Sequence, residues 1–328
     1  MANLTTKYLG LDLKNPIVIG SSELTNSAER VAALEKAGVG AIVLKSLFEE
    51  QILMDIDAER MNNMTGAYDH IENHLGYYLK KHSVDKYLNL IKDSKKAVNI
   101  PVIASINCYD DKEWVDFAEK VEKAGADALE INLFALPADA SLSGREMEQK
   151  YLNVIIKLMN VVNIPVSLKL SSYFSGLANF FVELSKTKIE GIVLFNKFYT
   201  PAIDIENEKI ISGKITSTSS DNTNTLRWVS ILSGKVECDL SASTGIHTAN
   251  EVISNILVGA TTIQMVSSII EHGNGHIATV LKDLEAWMDK KDYQSIEAFR
   301  GKLNQKNISN PMMLERAQFM KYFSDGVR

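Results

Sequence analysis

Cys108 and Cys238 are the only cysteines in 328 residues, and neither belongs to a CxxC pair. That scarcity excludes a disulfide framework and a thiolate metal site, and it suits a reducing cytosol. Long apolar runs are also missing: nothing approaches the roughly 18 residues needed to cross a bilayer. MANLTTKYLGLDLKNP carries no apolar stretch of signal-peptide length. Positive charge is not in surplus either. With 35 Lys and Arg against 41 Asp and Glu, the net charge of −6 offers no footprint for nucleic acid. No Pro/Gly/Ser-rich linker or low-complexity block divides the chain. The expectation is a cytoplasmic protein whose partners include neither a membrane nor nucleic acid, folded as a single domain over residues 1–328.

What is present is a rhythm. KAGVGAIVLK (36–45), KAGADALEIN (123–132) and LVGATTIQMV (257–266) each set a glycine where a helix would end, then an apolar run. Glycine at that point supplies the left-handed residue that stops a helix cheaply. The apolar runs are too continuous for half-exposed strands and read as strands of a parallel sheet, buried on both faces. Such runs fall at 16–20, 41–45, 101–107, 127–133, 164–170, 191–196, 235–241 and 261–266. Helical patterns separate most of them, and Ser143-x-x-Glu146 and Thr248-x-x-Glu251 read as capping boxes. Strand and helix alternating in this way over about 250 residues favour a (β/α)8 TIM barrel over an open doubly wound sheet. Residues from about 277 to 328 are left as a C-terminal helical extension.

Barrel active sites sit at the C-terminal strand ends. Here those ends are polar: Gly20-Ser21-Ser22, Lys45-Ser46, Ser105 with Asn107, Asn132, Lys169, Asn196, and Ser243-Thr244-Gly245. Strand alternation groups Ser167 with Lys169, Glu130 with Asn132, and Val43 with Lys45. If those faces point inward, two lysines and several amides converge on one mouth. A buried ammonium calls for an anionic partner. SASTGIHTANE and Val266-Ser267-Ser268, after the last two strands, lie where barrels commonly hold a phosphate. This much leaves a flavin nucleotide and a sugar phosphate both open.

In order and spacing, these motifs resemble the class 1 dihydroorotate dehydrogenase family, and more closely the dihydroorotate dehydrogenase-like proteins of bacteria. NPIVIGSS is similar to the family's opening strand, LKS to its lysine-serine pair and EINL to its ELNL. SLKLSSYF is similar to VKLPPYF, and STGIHTANEV with GATTIQMVSSI to the GGI…TG…GA…Q.GT region. The resemblance implies FMN at the barrel mouth. Carried over by position, Gly20 and Ser21 would lie along the flavin and Lys45 and Ser46 would flank it. Asn107 joins them among the cofactor-binding positions. Lys169 would stand near the N1/C2 edge of the ring, stabilising the negative charge that develops there. Thr244, Gly245 and Ser267 match phosphate-binding positions, and Asn132 and Asn196 match asparagines that hold ligand and flavin.

The chain departs from the family where the chemistry matters. The resembling enzymes take a proton with a cysteine or serine after the fourth strand, in a motif like NLSCPN. Here the stretch reads Asn132-Leu133-Phe134-Ala135-Leu136-Pro137, without a thiol or hydroxyl. Lys197 replaces a serine, and TSTSS (216–220) replaces a glycine-rich turn. Substitute bases are His70 and His74, four apart and so on one face of a helix, and Cys108 at a strand end. Asp139, Ser141 and Ser143 lie in the loop itself, with Ser143 better explained as a cap. Glu130 reads as a carboxylate buried against a lysine. No metal site is expected. The resulting expectation is an FMN-dependent oxidoreductase passing a hydride between a small pyrimidine-like substrate and the flavin, homodimeric, with its usual base missing. An FMN-binding module without turnover and a sugar-phosphate lyase or isomerase remain as alternatives.

Overall fold

The computed structural model describes residues 2–48, 69–107, 111–133, 136–198 and 200–315, with the side chains of 48, 69–82, 111–114 and 116 outside the description. A hairpin of β1 (Thr6–Tyr8) and β2 (Leu11–Leu13) precedes β3 (Ile17–Ile19). Then come α1 (Ala28–Ala37), β4 (Ala41–Val43), the short β5 (Leu47–Phe48) and α2 (Asp69–Ala97). Strand and helix alternate through β6 (Val102–Asn107), α3 (Asp111–Lys123), β7 (Ala128–Leu133), α4 (Gly144–Met159), β8 (Val166–Leu170), α5 (Leu177–Ser185) and β9 (Gly191–Leu194). A second hairpin, β10 (Pro201–Asp204) and β11 (Lys209–Ser212), intervenes before α6 (Asn222–Leu232). The series ends with β12 (Asp239–Ser243), α7 (Ala249–Val258), β13 (Thr262–Met265), α8 (Ser267–His272) and α9 (Gly275–Lys290).

Parallel pairing runs β3, β4, β6, β7, β8, β9, β12, β13 and returns to β3, so eight strands close a barrel. β5 only extends β6 at its far end. The expected (β/α)8 barrel is therefore the fold. The junction glycines behave as read: Gly38, Gly125 and Gly259 have φ of 109°, 93° and 118°. Both capping boxes form, each hydroxyl and carboxylate satisfying the other residue's amide.

One boundary differs. The seventh strand was expected over 235–241, but β12 begins at Asp239. Residues after α6 continue in a turn, with the Lys235 and Val236 amides donating to Leu232 O at 2.8 and 3.2 Å, so the apolar pattern there belongs to a helix exit. Neither hairpin was anticipated, because strands of three or four residues are too short to show a period.

Two apolar layers result. The larger lies between barrel and helices. The smaller is the barrel's interior floor, where Tyr8, Leu9 and Leu13 of the first hairpin meet Val18, Ala41, Val43, Ile103 and Ala128. Space at this floor is limiting: a Cβ on Gly191 would come within 2.5 Å of Leu9 Cδ2. Asp239 secures the plug by accepting from the Leu9 amide at 2.9 Å. With its floor sealed by apolar side chains, the barrel is open to a ligand at the opposite end.

Candidate functional site

At the C-terminal strand ends lies an open cleft of about 620 Å3, solvent included, whose lining takes in Ser21, Lys169, Asn196, Lys197, Thr244 and Ser267. Ser217, Gly245, Gln264 and Val266 also line it. Each strand delivers its contribution through alternation. On β8, Ser167 and Lys169 point inward; on β7, so do Glu130 and Asn132, with Glu130 in register with Ser167 and Asn132 with Lys169.

Lys169 is the cleft's buried cation, 7% exposed. Its Nζ donates to Gln264 Oε1 at 2.9 Å and stands 3.9 Å from Glu130 Oε1. An ammonium has three N–H bonds; one is committed to Gln264, and Glu130 Oε1 at 3.9 Å attracts the charge without a hydrogen bond, so N–H capacity is left for the cleft. The anion that balances this lysine is therefore supplied by the chain itself, as the pairing of Glu130 with a lysine anticipated. Asn196 Nδ2 donates to Asn132 Oδ1 at 2.7 Å, which joins the ends of β7 and β9.

Three hydroxyls link the first strands. Ser21 and Ser46 hydroxyls are 2.8 Å apart and Ser46 and Ser105 hydroxyls 2.6 Å. Tyr87 anchors the end of this row, accepting from the Ser105 amide and donating to its carbonyl, both at 2.7 Å. Gly20 sits against β13, where a Cβ would meet Gln264 Oε1 and Val266 Cγ2 at 3.1 Å. Asn107 is buried at the end of β6. Lys45 turns the other way: its ammonium hydrogen-bonds Glu23 at the rim, and that bond holds the Glu23 carboxyl below its usual range. The two lysines lining the cleft are thus Lys169 and Lys197, and Lys197 Nζ is 3.8 Å from Asp221.

After β12 the chain makes a tight loop through Thr244 and Gly245, with φ of 75° and 74°. A β-branched residue rarely adopts that conformation, and holding it costs on the order of 1–3 kcal/mol. Two hydrogen bonds fix it: Thr244 Oγ1 donates to Phe195 O at 2.9 Å, and Asn222 Nδ2 donates to Thr244 O at 3.0 Å. Ser217, from the TSTSS segment, closes the loop. It accepts from the Gly245 amide at 3.0 Å, and its own amide and hydroxyl donate to Ser267 Oγ at 2.9 and 3.0 Å.

The structure thus gathers Ser21, Lys169, Asn196, Thr244, Gly245 and Ser267 around one cleft, with Ser46 reaching it through Ser21 and Asn132 through Asn196. Gln264 and Ser217 escaped sequence reasoning. The signal for Gln264 was there: a lone amide inside the apolar run TTIQMV has to be hydrogen-bonded once buried. Of the substitute bases, Cys108 and the side chains of His70 and His74 lie outside the described residues, although α2 does include both histidine positions. Ser143 is a helix cap, and Ser141 donates to Asp139 at 2.6 Å in an exposed turn. Cys238, away from the cleft, has its thiol pushed up to about 12, first by burial and then by neighbouring carboxylates. Among the described residues no cluster of His, Cys, Asp and Glu could hold a metal ion, and no helix is long and apolar enough to cross a membrane.

Known proteins resemble this chain in sequence along most of its length. A subunit named dihydroorotate dehydrogenase B (NAD(+)), catalytic subunit, from Thermoplasma volcanium is 22% identical over 320 residues, covering 92% of this chain and 98% of its own. Its namesake from Caldicellulosiruptor saccharolyticus is 24% identical, covering 92% and 99%. The chloroplastic dihydropyrimidine dehydrogenase (NADP(+)) of Arabidopsis thaliana is 24% identical, covering 91% of this chain and 76% of its own. The family model described as dihydroorotate dehydrogenase matches residues 3–288, and the chain belongs to that family.

Proposed function

We propose that this chain is a cytoplasmic FMN-dependent oxidoreductase acting on a small pyrimidine-like substrate, in which dihydroorotate itself is a poor substrate. The observation that carries the reading is Lys169, a buried ammonium at the cleft floor with N–H capacity left beyond its one hydrogen bond to Gln264. The donor set fits FMN: an ammonium, the Asn196 amide and the hydroxyls of Ser21 and Ser267 suit a ligand with a phosphate and several carbonyl acceptors. Gly20, Ser21 and Lys169, with Ser46 and Asn107 behind them, would hold the ring. Thr244, Gly245 and Ser267 would hold the phosphate, and Asn132 with Asn196 would orient the substrate.

Bound there, FMN supplies a two-electron acceptor for a hydride. The chain's part is to stabilise charge and to place the substrate. Lys169 presents a preorganised positive charge where negative charge develops. The apolar barrel floor below Glu130 keeps water from that side. The companion proton needs an acceptor, and neither Ala135 nor Leu136, at the position of the relatives' cysteine or serine, can be one. A positioned base contributes typically 10²–10⁴-fold, so dihydroorotate turnover should be slower by roughly that factor than in a relative with a cysteine or serine.

The purified chain should show a flavin absorption spectrum, and anaerobic dihydroorotate should bleach it only slowly. A colourless protein that cannot be reconstituted with FMN would sink the cofactor reading. Rapid bleaching at neutral pH would sink the altered chemistry while leaving the cofactor in place. For assembly we propose a homodimer, supported by isoleucines exposed on the second hairpin.

A further inference from the structure

Glu130 is used by nothing in the proposed reaction, yet it occupies the barrel interior directly below the cleft. It is 1% exposed, and Gln264, at 2%, is scarcely less buried. Lys169 Nζ lies 3.9 Å from Glu130 Oε1, beyond hydrogen-bond length. The link between them runs through Gln264, whose Oε1 accepts from Lys169 at 2.9 Å while its Nε2 donates to Glu130 Oε2 at 2.5 Å.

The chemistry of the three groups fixes the direction of that link. A carboxylate only accepts and an ammonium only donates, so the amide between them has one satisfactory orientation. Turned over, it would set NH2 against ammonium and carbonyl against carboxylate, in a buried site where mismatched polar groups are costly. Glu130 therefore selects the orientation of Gln264, and Gln264 in turn determines where the Lys169 ammonium points. Other groups around the carboxylate do not compete for this role. Ser105 and Ser167 flank it in strand register. The Tyr8 hydroxyl below is held protonated, mainly by burial and then by the charges of Glu130 and Asp239. Lys197, beyond the end of β9, is paired with Asp221 at 3.8 Å.

We propose that Glu130 and Gln264 are positioning residues for Lys169: the buried carboxylate orients the glutamine amide, and the amide aims the ammonium into the cleft. The inference rests on the FMN reading only for its consequence, which is that the relay sets how readily a flavin in the cleft is reduced. It does not rest on that reading for the relay itself.

The test has two arms. In the first, the chain without flavin is treated with acetic anhydride and modification of Lys169 is followed by mass spectrometry. Removing its anchor frees the amine to move and so to meet the reagent. Glu130→Gln and Gln264→Leu should each acetylate at Lys169 at least threefold faster than the unaltered chain. Unchanged rates in both variants would overturn the relay whether or not FMN binds, and Gln264→Leu carries this arm if Glu130→Gln fails to fold. In the second, FMN-loaded chains are equilibrated with a reference redox dye. Glu130→Gln should lower the equilibrium constant for flavin reduction at least fivefold, and it should have no such effect in a Lys169→Met background. A rise in that constant would mean that Glu130 merely offsets charge, and an equal drop in the Lys169→Met background would mean that it acts through the fold. Either outcome overturns the proposal. A chain that binds no FMN would fail the proposed function and leave the acetylation result standing.

Discussion

Lys169 and Glu130 share a space that neither could occupy alone. Taking one ion into a protein interior costs several kcal/mol, and only a well-placed partner repays it. The asymmetry makes a clear prediction for stability. Lys169→Met leaves Glu130 as a buried charge with no cation, and should lower unfolding free energy by about 3–5 kcal/mol. Adding Glu130→Gln to the same chain removes the stranded charge and should recover most of the loss. Urea denaturation of the two variants at neutral pH measures the difference. If Lys169→Met alone stays within about 1 kcal/mol of the unaltered chain, the pair is not held as two charges. At this scale the sequence was informative wherever alternation applied. Alternation in EIN and SLK groups Glu130 with Asn132 and Ser167 with Lys169, and the structure turns both of those faces inward. It was uninformative about rotamers. Nothing in LKS says that the Lys45 ammonium leaves the mouth to join Glu23.

The elements were legible because their punctuation is chemical. The glycines after α3 and α7 adopt left-handed conformations, and the capping boxes of α4 and α7 close as their spacing requires. These glycines also differ in a way that only the fold reveals. A Cβ on Gly125 would meet nothing within 4 Å, whereas one on Gly259 would lie 2.0 Å from Ser233 Oγ and 2.5 Å from its Cβ. Gly125→Ala should therefore cost only the conformational penalty of a left-handed alanine, about 1–2 kcal/mol. Gly259→Ala adds overpacking to it, typically a further 1–3 kcal/mol. Thermal or urea unfolding of the two variants should rank Gly259→Ala clearly lower, and equal losses would refute the steric part. The seventh strand shows where such reading stops. KVECDLS alternates well enough to be a strand, but backbone bonds to Leu232 claim its first residues for the exit from α6.

At the scale of the whole molecule, the two hairpins sit differently. The first is consumed by the barrel, with Tyr8 and Leu9 buried as its floor. Among the described residues the second stays uncovered: Ile203 and Ile210 face each other across the strands at 62% and 73% exposure, and Ile205 in the turn is 78% exposed. Isolated surface isoleucines need no explanation, but several on one projecting hairpin make the kind of apolar patch that marks an association site. A symmetric dimer would bury such a patch against its own copy, since a two-fold axis matches a surface with itself. Replacing the facing pair by Ile203→Lys and Ile210→Glu keeps the hairpin stable, because opposite charges across an antiparallel pair attract, while making the patch costly to desolvate. Light scattering behind size exclusion should find the unaltered chain at twice its 36.4 kDa mass and the double variant at the mass of one chain. An unaltered chain that elutes as a monomer would refute the homodimer. A double variant that stays dimeric would move the contact away from the hairpin. Because the patch follows β9 and leads into Ser217 at the cleft, such a dimer would also brace the loop that closes over Gly245 and Ser267, and the monomeric variant should then bind FMN more weakly.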